Sequence, residues 1–361
     1  MIDSKRKIGI LTFHHAASYG AVLQCFALYS TLTKLVAPQD EVGIIDLVPT
    51  IFSKNTGTPE MERFVKFSQA NLKMLTAEKS TLQDCLANVL VPDQPVTDAV
   101  VGSDQVWNPR IIKESLKDYF LYGELSGIRK YAYAASFGVN ELPVTAEQEK
   151  IITEALADFD KISVREPGAV TLCKRFQCNN AVSVLDPTLL ADPQIYEKFV
   201  NPELNKSCVC GFFLAQASYQ SKILKKLSKK LKNPALFIGR KAPFLSFIKS
   251  AQQPPVEEFL STLHNAAGVV TDSFHGVCFS IIFKRQFIVL PSHRKERFVR
   301  IGELLQKLGL SDRVIDDYND QKACKIMQTP IDYTKVDALL VKYRSESQKF
   351  LEECFQPESN I

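Results

Sequence analysis

GVVTDSFHGVCFSIIF, Gly268–Phe283, passes from one apolar run through six mostly polar residues into another. Gly268–Val270 reads as a strand and Val277–Phe283 as an apolar helix, so Thr271–Gly276 lies where a strand ends and a helix begins. Exposed backbone N–H groups and the positive end of a helix dipole favour an anion at such a place. Asp272, Ser273 and His275 together are more polar equipment than packing requires. The plainer alternative is that Asp272 or Ser273 caps the helix and His275 is a surface residue of its first turn.

Outward from this segment, short β-branched runs alternate with amphipathic stretches, the signature of βαβ units and parallel sheets. In the first half, strands are expected at Lys7–Phe13, Glu41–Val48, Ala99–Gly102, Tyr131–Gly138, Lys161–Glu166 and Val182–Asp186, with helices at Gly20–Leu35, Thr145–Phe159 and Gly168–Phe176. A more polar helical excursion is expected over residues 59–90. DPTLLADPQ (Asp186–Gln194) reads as a linker, after which the rhythm restarts with strands at Cys208–Ala215, Ala235–Arg240 and Phe287–Pro291. Basic and amphipathic helices are expected at Tyr219–Leu231, Pro255–Ala266, Arg297–Leu308 and Tyr333–Phe355. The expectation is α/β: two Rossmann-like domains, 1–187 and 188–361, facing across a cleft, the last helix packing back on the first domain.

Composition fits a globular chain of two domains: 361 residues, 45% hydrophobic and 23% charged. A net charge of +4 is far from the basic stripe of a nucleic-acid binder, and no nucleic acid is expected. No apolar run is long enough to span a bilayer. Nine cysteines, without a C-x-x-C pair, read as reduced core residues of a cytoplasmic protein. The lysine-rich helix at Tyr219–Leu231 offers peripheral contact with the inner face of a membrane, or a solvated face.

In open parallel sheets, ligands bind beyond the carboxyl ends of the strands. After the first strand come His14, His15, Ser18, Tyr19 and Gly20. Adjacent histidines suggest a metal, but no carboxylate lies at i+4, so a hydrogen-bonding or acid/base histidine is the reading kept. After the third come Ser103, Asp104, Gln105, Trp107 and Asn108, a mixture that suits a sugar ring: an apolar face to stack on and polar groups for its hydroxyls. Arg165 follows KISV, and a guanidinium there can hold a carboxylate or phosphate, or pair structurally with Glu166. Late in the chain, PSHRKERFVR carries His293, Arg294, Arg297 and Arg300, the last two on one helix face. The strand ends thus gather cations, histidines and a carboxylate.

Seven segments in order, ILTFHHAASYGAVLQCFAL, VVGSDQVWNP, YAASFG, ISVREPGAV, VLDPTLL, TDSFHGVCFSIIF and RIGELLQKLGL, give the chain its resemblance to the polysaccharide pyruvyl transferases. The resemblance implies a GT-B-like fold and transfer of a pyruvyl group from phosphoenolpyruvate to a sugar of a polysaccharide or its lipid-linked precursor, as in capsule or exopolysaccharide synthesis, forming a pyruvate ketal. It matches Arg165 to the family's S-x-R arginine and His275 to its second-half histidine, both associated with phosphoenolpyruvate. Better-described members carry arginine where this chain has Ser273, and N-Y-G where it has Ser18-Tyr19-Gly20; Arg297 or Arg300 is expected to supply the missing cation. On this reading His275 is general acid or phosphate ligand, Asp104 the base with His14 its competitor, and Arg165 the carboxylate clamp. No cofactor beyond the co-substrate and no metal are expected. The alternatives are a GT-B glycosyltransferase gripping a nucleotide ribose through Glu257 or Glu258, and a non-catalytic glycan- or anion-binding module.

Overall fold

Each half of the chain builds one parallel sheet. The computed structural model describes residues 5–49, 57–91, 94–214, 218–239, 249–291, 295–316 and 319–355. In the first half, β1 (Lys7–Leu11), β2 (Glu41–Ile44), β3 (Asp98–Val101), β4 (Arg129–Ala135), β5 (Lys161–Val164) and β6 (Val182–Ser183) lie in the order β2-β1-β3-β4-β5-β6. Ile8 of β1 pairs with Val42 on one side and Asp98 on the other, all in parallel register. In the second half, β7 (Val209–Phe212), β8 (Ala235–Gly239), β9 (Lys249–Gln252), β10 (Gly268–Thr271) and β11 (Phe287–Val289) form the order β11-β10-β7-β8-β9. Sheets covered by crossover helices on both faces favour strands that are apolar throughout, and β1 and β10 are buried at every residue.

The crossovers are the amphipathic stretches of the sequence. Tyr19–Leu35 links β1 to β2, Ala146–Ala157 links β4 to β5, and Phe274–Ile282 links β10 to β11. Ala146–Ala157 starts with a capping box: the Thr145 side chain accepts from the Gln148 N–H, and the Gln148 side chain accepts from the Thr145 N–H. The excursion over residues 59–90 is less helical than expected. It holds helices Pro59–Asn71 and Leu82–Ala87, and between them Met74 and Lys79 bridge back to Ile44 and Leu47. β9 has no signal in the sequence, because KSAQ carries neither alternation nor β-branched residues.

The chain divides into one unit of Met1–Ala191 with Tyr343–Ile361 and a second of Asp192–Lys342. The boundary falls after the DPTLLA stretch because that stretch is tied to the first sheet. The Tyr133 hydroxyl donates to the Leu185 carbonyl (3.0 Å), and the helix Pro187–Leu190 packs on Tyr19–Leu35. The long helix Tyr333–Phe355 changes allegiance along its length. Tyr333 donates to the carbonyl of Arg285 in the second unit (2.5 Å). Farther on, Ser347 accepts from the Leu185 N–H (2.9 Å), and Phe355 packs on Tyr131 at 5.0 Å in the first. None of the nine cysteines forms a disulfide, and eight of them are buried. Among the described residues, no helix is long and apolar enough to cross a membrane.

Gly43 is where the excursion meets the sheet edge. The segment at Lys73–Leu75 hydrogen-bonds along β2, and a Cβ on Gly43 would stand 2.7 Å from both the Lys73 carbonyl oxygen and the Leu75 side chain. A backbone atom cannot swing aside as a side-chain tip can. Gly43→Ala is expected to lose about 1–3 kcal/mol in urea unfolding, the usual cost of overpacking; an unchanged midpoint would show that this edge is not packed as described.

Candidate functional site

The carboxyl ends of the first sheet collect its buried polar side chains, as a parallel sheet allows. Two groups form there. The first centres on Arg165, just beyond β5, whose side chain is 2% exposed. Its guanidinium lies 3.1 Å from Asp186, 3.5 Å from Glu166 and 3.8 Å from Asp104. Burial alone would depress the Arg165 pKa, but the three carboxylates outweigh it and raise the pKa further. Asp186 is itself saturated, accepting from Ser103 Oγ (2.9 Å) and from the Thr188 N–H (2.9 Å) and hydroxyl (2.6 Å). Glu166 accepts from Ser136 Oγ at 2.6 Å.

Asp104 is the member of this group with solvent access. Its backbone sits at φ +77°, a left-handed conformation that a non-glycine residue adopts at a cost. Its carbonyl accepts from the Ser136 N–H (3.0 Å) and its carboxylate from the Gln105 N–H (2.9 Å). The carboxylate is thus aimed by its own backbone and faces a fixed cation.

The second group comes from β1 and β2. His14 Nδ1 lies 3.0 Å from the Thr12 carbonyl, and His14 Nε2 lies 3.0 Å from Asp46 Oδ1. His15 Nε2 reaches the same Oδ1 at 2.6 Å. Burial pushes the His14 pKa below the ordinary imidazole value, against the pull of Asp46. Burial also opposes ionisation of Asp46, but its bonds to His14 and His15 prevail and hold it well below the usual carboxylate range. Thr12 joins the two groups, since its hydroxyl donates to the Ser103 carbonyl at 2.8 Å. Asp46 was missed in the sequence because the second strand was expected to run to Val48, which hides Asp46 inside it, whereas β2 ends at Ile44 and leaves Asp46 just beyond the strand.

In the second unit the Thr271–Gly276 turn is stitched by its own side chains. Thr271 donates its hydroxyl to the Phe212 carbonyl (2.6 Å) and accepts from the Ser273 N–H (3.0 Å). Asp272 accepts from the Leu214 N–H (2.6 Å), and Ser273 caps the helix by accepting from Gly276 N–H (3.3 Å). A Cβ on Gly276 would stand 2.4 Å from Thr271 Oγ1, so only glycine lets the helix start this close to β10. His275, nearly buried, occupies the first turn beside Phe274, ring centres 5.3 Å apart. Arg300 is buried on the helix Lys295–Lys307, which packs against Phe274–Ile282. The side chain of Arg297, together with His293, Arg294, Arg240 and Lys241, lies outside the described residues. Glu257 and Glu258 lie in the first turn of Val256–Asn265, where they complement the dipole.

Several expected contact residues prove structural. Trp107 is fully buried, with Phe120, Phe137 and Phe159 at 5.2–5.8 Å and its Nε1–H donating to the Tyr119 carbonyl. It has no face for a sugar, and its neighbours in sequence misled because the chain turns it inward. Asn108 caps the helix Pro109–Ile112 and donates to Gln105 Oε1 (3.1 Å). Tyr19 is buried against Phe64, Gly20 is buried in the same helix, and Ser18 precedes that helix without capping it through its side chain. Arg165 is committed to internal carboxylates rather than open to an incoming one. The helix Ser218–Leu231 buries Ile223, Leu224 and Leu227 in the core, so only its lysine charges remain for a surface.

These geometries predict a split in stability. Asp186→Ala leaves Arg165 short of its buried partner and is expected to cost about 3–5 kcal/mol. Trp107→Ala is expected to cost about 3–5 kcal/mol as an aromatic deletion from a core. Asp104→Ala, at the rim, should cost under about 1 kcal/mol. Equal losses at Asp104 and Asp186 in chemical denaturation would contradict the hierarchy.

Comparison with known proteins agrees with this architecture. The family model described as polysaccharide pyruvyl transferase matches residues 19–294. No curated protein sequence matches the chain. Among solved structures, the chain is similar to a UDP-GlcNAc 2-epimerase of Methanocaldococcus jannaschii, at TM-score 0.54 and 15% identity over 97% of this chain and 99% of that one. It is similar also to the UDP-GlcNAc 2-epimerase of Neisseria meningitidis, at 0.54 and 10% over 96% and 93%. The MnaA protein of S. aureus gives 0.53 and 11%, over 97% of each chain. At these identities the likeness concerns the fold, which is GT-B-like: two Rossmann-like α/β units.

Proposed function

The chain belongs to the polysaccharide pyruvyl transferase family, and from that premise we propose that it transfers the pyruvyl group of phosphoenolpyruvate to two hydroxyls of a sugar. The observation that carries the reading is the difference in polarity between the two candidate groups. The Arg165 group holds one cation among three carboxylates, an arrangement that suits hydroxyls and repels an anion. The Thr271–Ile282 turn and helix present a helix start, a histidine and the nearby Arg300-bearing helix, which suit one. Acceptor to the first unit and donor to the second is the assignment that follows.

The chemistry needs a proton delivered to the methylene carbon of the donor, which makes C2 electrophilic. One sugar hydroxyl bonds to C2 and gives up its proton. The C2–O bond to phosphate then breaks, phosphate departs with the bonding pair, and the second hydroxyl closes the ketal with loss of its own proton. His275 in the first helical turn is assigned as the acid or as a phosphate ligand. Asp104 is assigned as the base for the acceptor hydroxyl, with His14 the competing assignment. Arg165 is a positioning residue in this scheme, fixing Asp104 through charge rather than clamping the donor. Arg300 is the described candidate for the cation that replaces the family arginine at Ser273, and Arg297 the other. The acceptor is a sugar of a polysaccharide or its lipid-linked precursor, and lysines of Ser218–Leu231 are available for contact with an anionic surface.

Incubation with phosphoenolpyruvate and a galactose- or mannose-type acceptor is expected to release phosphate and add a ketal to the acceptor, read by mass. His275→Ala should lower the rate by about 10²–10⁴-fold with an unchanged unfolding midpoint, as expected for a lost acid or base. Thermal stabilisation by UDP and not by phosphoenolpyruvate would overturn the assignment in favour of nucleotide-sugar transfer. Stabilisation by phosphoenolpyruvate without turnover on any acceptor would favour a binding module.

A further inference from the structure

We propose that His14, His15 and Asp46 form a binding site for one divalent transition-metal ion, of the two-histidine, one-carboxylate type. The three donor atoms, one from each residue, all lie within 4.8 Å of one another. Both imidazoles converge on a single oxygen, with His14 Nε2 at 3.0 Å and His15 Nε2 at 2.6 Å from Asp46 Oδ1. Around a tetrahedral ion with ligands at about 2.0–2.1 Å, donor atoms stand roughly 3.3 Å apart. Seating an ion therefore asks the His14–Asp46 pair to open by about 0.3 Å and the His15–Asp46 pair by about 0.7 Å.

The hydrogen bonds around the cluster select this arrangement. A carbonyl oxygen only accepts, so the contact with Thr12 places the His14 proton on Nδ1. That leaves the Nε2 lone pair aimed at a carboxylate oxygen. Two lone pairs at 3.0 Å need a positive centre between them, and a proton on each Nε2 would hold the two pairs one at a time. A metal ion serves all three donors at once. The Nδ1–H to carbonyl bond is also the outer contact that orients a metal-bound histidine. Asp46 is fixed on its backbone: its N–H donates to Thr76 Oγ1 at 2.9 Å, and its carbonyl accepts from Cys85 Sγ at 3.5 Å.

His14 is buried, while His15 and Asp46 keep partial exposure. The ion would thus be held from inside and open on one side, with a coordination position for water or a hydroxyl-bearing ligand. Two imidazoles and a carboxylate suit zinc and neighbouring first-row ions over magnesium or calcium, which favour oxygen donors. This replaces the expectation of a protein without metal, which rested on the absence of a carboxylate at helical spacing from the histidines.

The test uses the full-length protein stripped with a chelator and titrated with zinc chloride against a chromophoric competitor. One zinc per chain is expected, with a thermal unfolding midpoint that rises with zinc concentration. His15→Ala, at the more exposed side of the cluster, should weaken binding by at least about 100-fold with the metal-free unfolding midpoint kept near wild type, more than loss of an outer-shell partner. Asp46→Asn should do the same. Cobalt should give visible d–d absorption without the thiolate charge-transfer band that a cysteine site would produce. Absence of stoichiometric zinc binding, wild-type affinity in His15→Ala, or a thiolate band would each overturn the proposal.

Discussion

A guanidinium cannot be buried without opposing charge, and the carboxyl edge of the first sheet is organised around that requirement. Arg165 stands at the end of β5, and its counter-charges arrive from other strand ends: Asp104 after β3, Asp186 after β6, and Glu166 beside it. Each carboxylate then needs its own donors, which draws in Ser103, Ser136 and Thr188. Ser103 in turn is tied through its carbonyl to Thr12, which orients His14. One buried charge thereby fixes the geometry of most of the polar edge. Desolvating a charge costs several kcal/mol, so a partly satisfied version of this network would be worse than an apolar one.

Much of this edge was legible from residue pattern alone. The positions of Asp104, Arg165 and His14 just beyond apolar strands marked them as ligand-facing, because parallel strands are too uniformly apolar to hide such residues within. What the pattern did not carry was direction. Trp107 lies three residues from Asp104, yet one points into an aromatic cluster and the other to the rim. That difference is made at Asp104 by a left-handed backbone, which spacing does not reveal. Pairing with the adjacent Glu166 was a legible alternative for Arg165, whereas its other two partners, Asp186 and Asp104, lie 21 and 61 positions away in the chain, a scale on which local pattern is silent.

The second unit shows the opposite relation between sequence and site. TDSFHG was legible as a strand-to-helix turn with surplus polarity, and the surplus proves to be largely structural. Thr271 and Asp272 tie the turn to Phe212 and Leu214, and Ser273 caps the helix. Gly276 permits the close start that makes these bonds reachable. The rigidity is useful in itself, because a helix N-terminus favours an anion only if its N–H groups are held in place when the anion arrives. Ser273 supplies a cap and no charge, so the attraction for an anion at this turn comes from the helix start.

The charge balance of the first unit bears on both proposals at once. A group that holds three carboxylates for one guanidinium is a poor host for a phosphate and a good neighbour for a cation. Thr12 links that group to His14, so the His14–His15–Asp46 donors sit on the same hydrogen-bonded edge as the excess negative charge. A divalent ion there would offset part of the excess, and a hydroxyl bound to it would become more acidic, as metal-bound water does. The same edge would then both hold a sugar hydroxyl and ease loss of its proton, the task proposed for Asp104. On physical grounds the proposed metal and the proposed acceptor suit the same unit, while a phosphate-bearing donor suits the helix start of the other.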